Sequence, residues 1–118
     1  MAKNFIQPGD TLELVAPAGG VVSGTGYVIG ALFVVALGDA AAGELFRGKV
    51  DGVWELPKAA AVTPAQGAIA YWDDAAKTVT GASAVGLFPI GTFTAAAAGA
   101  DAAAFVRLDG VATVAAAA

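Results

Sequence analysis

The sequence predicts an all-β fold, mainly strand with little helix, built as a barrel or sandwich of short antiparallel strands. Three observations carry this reading. Turn residues recur about every 8–12 positions, with β-branched and aromatic residues between them. Residues 32–37 (LFVVAL) are a continuous apolar run, as expected of a strand buried on both faces. The alanine tracts at 40–42, 59–61, 95–98 and 102–104 favour helix by propensity, but each is too short to hold a helix alone. A single helical turn near 95–98 is the one exception the sequence allows.

Taken in order, residues 11–15 (TLELV) alternate apolar and polar side chains and end at Pro17 and Gly19-Gly20, a first strand. Val21-Val22 and residues 27–29 flank the turn Ser23-Gly24-Thr25-Gly26, and the apolar run 32–37 comes next. Residues 45–50 and 53–56 are separated by Asp51-Gly52, a two-residue hairpin signal. Residues 68–72 and 77–80 flank Asp73-Asp74-Ala75-Ala76, a second hairpin. Pro89 and Gly91 interrupt 85–93, which predicts a bent or edge strand. Residues 105–108 and 111–114 flank Asp109-Gly110, a third hairpin signal, and 115–118 are either a frayed tail or the end of a last strand.

At 118 residues the chain is one domain that buries roughly 65% of its unfolded surface. We divide it into an N-terminal arm, residues 1–10, and a β domain, residues 11–118. Thirty-one residues are Ala, so the bulky core must come from Val, Leu, Ile, six Phe, two Trp and two Tyr. A thin core beside an Ala-rich surface favours an oligomer. Net charge is −4 with a pI near 4.4, and the six cations lie singly among carboxylates, which argues against nucleic-acid binding. The absence of Cys and His removes disulfides, thiolate chemistry, the commonest general base and the commonest metal ligand. The start, MAKNFIQPGD, lacks the apolar stretch of a signal peptide, and no run approaches the ~20 residues of a membrane span. A soluble chain made in a cytoplasm, without membrane partners, is expected.

Residues 43–50 (GELFRGKV) match GxxxxGK but place Val50 where a phosphate-binding loop needs a hydroxyl for magnesium. Such a loop also opens a helix, whereas Asp51-Gly52 and a further strand come after it here. A strand is the better account. Residues 24–30 imitate a dinucleotide fingerprint with the last Gly displaced, and the residues after them are again strand-like. Asp73-Asp74 is the only adjacent carboxylate pair and fits a turn better than a calcium site. Ser and Thr lack a His or Cys partner for nucleophilic catalysis. Trp54, Tyr71 and Trp72 could form a stacking platform for a sugar or base, but fit core or interface packing better. The sequence therefore predicts no enzyme, no cofactor and no metal. Asn4, Phe5, Ile6 and Gln7, ahead of Pro8-Gly9-Asp10, are either an arm that adds a strand to a neighbour's sheet edge or the first strand of the fold.

Residues 2–24, 31–44 and the Gly-Val-x-x-Leu-Pro-Lys element at 52–58 resemble a family of small tailed-phage proteins labelled RecA/RadA-like phage recombinases. Further matches are residues 67–73 (GAIAYWD), Ile90-Gly91, the Ala-rich loop 95–101 and Val106-Arg107-Leu108, while 109–118 extend past the family pattern. Structurally known members are capsid decoration or cement proteins, similar in role to the head-decoration protein of phage lambda. The resemblance implies a small β-barrel or β-tulip-like fold, assembly as trimers, and attachment to the outside of a phage or prophage head. The expected partners are the major capsid protein and further copies of the chain, in the host cytoplasm before assembly and on the virion afterwards. Asn4–Gln7 would contact the capsid, and Val53, Trp54 and Leu56 would serve the core or a subunit interface. The competing readings are a recombination-associated ATPase or DNA-binding accessory, which the family label suggests, and a carbohydrate-binding β-sandwich using Trp54 or Trp72. The recombinase label conflicts with the short acidic chain and its incomplete phosphate loop.

Overall fold

The structure, a computed structural model, describes residues 9–115, and its strands fall where the turn residues allow. Among the described residues there are nine strands and no helix: β1 (Thr11–Val15), β2 (Gly26–Ile29), β3 (Leu32–Ala36), β4 (Leu45–Lys49), β5 (Asp51–Pro57), β6 (Ile69–Asp73), β7 (Thr78–Thr80), β8 (Phe88–Phe93) and β9 (Ala103–Asp109). They form two antiparallel sheets. Sheet one runs β1-β4-β3-β2 and sheet two runs β5-β9-β8-β6-β7. The all-β expectation holds, but no closed barrel forms. Sheet two curls until its outer strands meet, yet a single bridge, Lys58–Val79, joins them rather than a ladder. The helical turn allowed near 95–98 does not occur; that loop is held by the Ala97 amide on the Pro64 carbonyl and the Ala98 amide on the Asp101 carboxylate.

Residues 32–36 of the apolar run form β3, buried on both faces as predicted, whereas Leu37 lies beyond the strand and is exposed. Phe33 and Val35 join Leu56, Ala70, Trp72, Val79, Ile90, Phe93, Val106 and Leu108 in the core between the sheets. Val34 and Ala36 face the opposite way, into a second cluster with Ala16, Val21, Phe46 and Val50. The loops after β1 and β3 complete this second cluster, tied by amide–carbonyl bonds between Val21 and Ala40 at 2.8 and 3.1 Å. Trp72 is fully buried and meets Phe33 edge to face, with ring centroids 5.1 Å apart. Truncating a buried aromatic of this size costs about 3–5 kcal/mol.

Two of the three predicted hairpins are corrected. The β6–β7 hairpin is present. Asp73 Oδ1 accepts hydrogen bonds from the amides of Ala75 and Ala76, and Lys77 closes the turn with φ 58°. The Asp51-Gly52 element makes no hairpin. The chain passes from β4 directly into β5, which leaves sheet one and pairs along its length with β9. Gly52 uses its left-handed φ of 92° at this change of sheet rather than in a two-residue turn. The Asp109-Gly110 element lies directly alongside, with Asp109 opposite Asp51, and no strand comes after it among the described residues. Asp109 Oδ1 instead accepts the Val111 amide, and the chain crosses to Thr113. Thr113 is buried. Its amide donates to Ala31 in sheet one's β2–β3 turn at 2.8 Å, and its hydroxyl donates to the Pro89 carbonyl of β8 at 2.6 Å. Both Asp-Gly elements thus mark where the chain enters and leaves sheet two.

Strand β8 is bent, as expected, but it is interior rather than at an edge. Pro89 is accommodated by a bulge: Gly91 opposes Ala70 while Pro89 opposes Tyr71, leaving Ile90 as the extra residue. Gly91 permits the close approach of β9, since a Cβ there would overlap the Arg107 carbonyl. Lys58, the Lys of the Leu-Pro-Lys element, is buried, and its Nζ donates to the carbonyls of Ala59 at 3.0 Å and Val62 at 2.8 Å. It fastens the end of β5 to the adjoining loop.

The sheets are also joined by a polar chain. Trp72 Nε1 donates to Asp74 Oδ1 at 3.0 Å, Lys77 Nζ donates to the same oxygen at 2.7 Å, and Lys77 Nζ stands 4.5 Å from the centroid of the Tyr27 ring in sheet one. Burial raises the Asp74 carboxyl, but hydrogen bonds from Lys77 and Trp72, with the charge of Lys77, outweigh it and hold the group below its ordinary value of 3.8. Because the folded-state value is depressed, this stabilisation is complete above the ordinary value and is lost as pH falls below it. Thermal melts between pH 6 and pH 2.5 are expected to fall more steeply for the wild type than for Asp74→Asn, which keeps an acceptor for Trp72 but cannot titrate. Gly91→Ala is expected to cost about 3 kcal/mol, because a backbone oxygen cannot move aside, and to appear as a lower urea midpoint with an unchanged slope.

Candidate interaction surfaces

The residues that imitated a nucleotide site are distributed over ordinary β structure. Gly43 lies in a turn with φ 84°, residues 45–49 are β4, and Val50 is buried in the second cluster. The chain continues into β5 rather than a helix, so no helix N-terminus faces a phosphate there. Residues 26–29 of the second glycine-rich stretch are β2, with β3 rather than a helix behind them. Asp73 and Asp74 are both engaged within the β6–β7 turn. The three aromatic residues do not converge on a platform. Trp72 is inside the core, Trp54 packs against that core with Nε1 donating to the Asp51 carbonyl, and Tyr71 stands on the opposite side of sheet two by register.

The other predicted site residues separate in the same way. Leu56 is fully buried, Trp54 is half-buried, and Val53 is 58% exposed on the outer face of β5. Asn4, Phe5, Ile6 and Gln7 lie outside the described residues.

A pattern that the sequence does not reveal emerges from the charged side chains. Lys49 Nζ binds Asp10 at 2.9 Å and Asp51 at 3.3 Å, and its hydrogen bond holds the Asp10 carboxyl below the ordinary range. Lys77 binds Asp74, and Lys58 is enclosed by carbonyls. Asp39 accepts the Ser23 amide, Glu44 the Ala41 amide, Asp101 the Ala98 amide and Asp109 the Val111 amide. Among the described residues, four charged side chains remain without an ion pair or hydrogen bond: Glu13, Arg47, Glu55 and Arg107. All four are exposed.

These four fall into two patches. Glu13 of β1 stands opposite Arg47 of β4, next to the exposed pair Val15 and Leu45. Glu13, Arg47 and Leu45, with Leu37 and Asp39, line a groove of about 280 Å³ on sheet one. Glu55 of β5 stands opposite Phe105 of β9, and Arg107 opposite Val53, so the outer face of sheet two carries an acid, a base and two exposed apolar side chains. A second hollow of about 350 Å³, near Pro64, Thr80 and Gly81, is lined by small residues and contains no charged group. Apart from Glu13, Arg47, Glu55 and Arg107, the charged side chains of the described residues are engaged in holding the fold.

No curated protein and no solved structure matches the chain. A family model described as phage cement protein matches residues 6–108, from the N-terminal segment through β9 to Leu108. That span includes both sheets and the Leu-Pro-Lys element, and it ends just before the segment that carries Thr113. This chain belongs to the phage cement protein family.

Proposed function

We propose that this protein attaches to the outside of a phage head and stabilises the capsid, assembling there as a trimer. The match to the cement family across residues 6–108 carries this reading. Its mechanism is contact area, because the lysines, the buried hydroxyl and every carboxylate except Glu13 and Glu55 among the described residues are tied into turns and sheet contacts. A trimer that touches several capsid subunits at once converts modest individual contacts into tight attachment and resists their separation under internal pressure. The N-terminal residues Asn4–Gln7, extended by sequence pattern and placed directly ahead of β1, supply the capsid contact in this reading, by adding a strand to an open sheet edge. The chain would be made in the host cytoplasm and end on the virion surface. No observation favours the recombination-associated or carbohydrate-binding readings.

Incubation of the purified chain with undecorated heads is expected to give saturable binding and to raise the temperature at which the heads release DNA. Deleting residues 1–8 is expected to abolish that binding while leaving the melting temperature of the free protein within a few degrees. Unchanged head binding by the deletion would exclude the arm as the contact.

A further inference from the structure

Residues 110–115 leave sheet two after β9 and lie outside the span matched by the family. Five of these six residues are exposed, Val111 and Val114 among them, and no strand ladder engages them. Among the described residues the segment is held by three hydrogen bonds. One is local, from the Val111 amide to Asp109 Oδ1 at 3.1 Å. The other two belong to Thr113, the single buried residue of the segment, whose amide donates to the Ala31 carbonyl and whose hydroxyl donates to the Pro89 carbonyl. These two acceptors stand on different sheets, at the seam between them. Ala31 comes two residues before Phe33, and Pro89 directly follows Phe88, which stands opposite Trp72. Phe33 and Trp72 make the edge-to-face contact that joins the sheets there.

We infer that residues 110–115 are a clasp across this seam, a strap that opens at Thr113 while both sheets stay folded and that controls the entry of solvent to the Phe33–Trp72 contact. Backbone segments open locally when few buried side chains and few hydrogen bonds hold them, and this one has a single anchor. Its opening exposes little apolar surface, because Val111 and Val114 are already in water. The groups it uncovers first are the Ala31 and Pro89 carbonyls, which exchange a protein donor for water at small net cost. Strand β9, which leads into the strap, has no such freedom, since it is paired with β5 on one side and β8 on the other. The boundary between fixed and releasable chain therefore falls at Asp109-Gly110, where Gly110 turns the backbone with φ 68°. This device is independent of capsid attachment.

Amide hydrogen exchange on the whole chain tests the opening. The Thr113 amide is expected to exchange at least roughly a hundredfold faster than those of Val106 and Leu108. Its rate should barely respond to low urea, because little surface is exposed, whereas the β9 rates rise with urea as global unfolding becomes easier. Thr113→Val keeps the shape but loses the hydroxyl donor, and is expected to speed exchange at position 113 by roughly a further fivefold. Thr113→Ser, which keeps the donor, is expected to stay within about twofold of wild type. Acrylamide quenching of Trp72 tests control of the seam, read in a Trp54→Phe background so that one indole reports. Thr113→Asp turns a carboxylate toward two carbonyl oxygens and holds the strap open. It is expected to raise the quenching constant at least about twofold, with far-UV circular dichroism unchanged. Exchange of Thr113 at the β9 rate, with the same urea dependence, would make the strap part of the global fold and overturn the inference. Loss of the folded state in both Thr113→Val and Thr113→Asp would do the same. Fast exchange at Thr113 with quenching unmoved by Thr113→Asp would overturn the strap's control of the seam.

Discussion

Val34 and Val35 are both fully buried although they face opposite sides of β3, and the rest of the molecule is arranged around that fact. Val35 and Phe33 close the open side of sheet two, while Val34 and Ala36 hold the second cluster. A strand with two buried faces tolerates no slip of register, since moving it by one residue would exchange every side chain between two cores of different shape. The neighbours inherit this constraint. Strand β4 pairs with β3 through Val35–Lys49 and Ala36–Gly48, which places Arg47 and Leu45 on the side facing sheet two and extends that face beyond it. The sheet-one groove is thus a consequence of how β3 is packed.

Sheet two solves a different problem. Its inner face is filled by Trp72, Phe93, Leu56 and Val106, and its edges approach until one bridge joins them, yet the opening that remains is filled by sheet one rather than by further pairing. Polar groups reinforce that junction. The Trp72–Asp74–Lys77–Tyr27 chain runs from the core to the surface of the other sheet, and Thr113 binds backbone carbonyls of both sheets after the family match has ended. Exposed ion pairs contribute little singly. Here their use is geometric, holding two open sheets together and leaving Glu13, Arg47, Glu55 and Arg107 unengaged among the described residues.

Local signals in the sequence were dependable where local physics decided the outcome. The unbroken apolar run of β3, the Asx turn of the β6–β7 hairpin and the bend at Pro89 and Gly91 all arise from neighbouring residues. The failure of residues 43–50 to form a phosphate loop was also legible, because Val50 lacks a hydroxyl and no helix signal comes after it. The Asp-Gly elements are instructive in a different way. Their need for a left-handed glycine was readable, and both Gly52 and Gly110 have positive φ, but the use made of it depended on which strand lay alongside.

The sequence by itself determined an all-β chain, the doubly buried strand, the absence of His and Cys and the likeness to cement proteins, since composition, periodicity and motif spacing are local properties. Tertiary structure alone decided that β5 pairs with β9 some fifty residues away, that Pro89 lies inside a sheet, and that Lys58 is buried among carbonyls. It also decided that Glu13, Arg47, Glu55 and Arg107 are the charges left over among the described residues. Ten acids and six bases look alike in sequence, and only the fold, by bringing amides and lysines to the others, distinguishes a carboxylate that closes a turn from one that remains available to a partner.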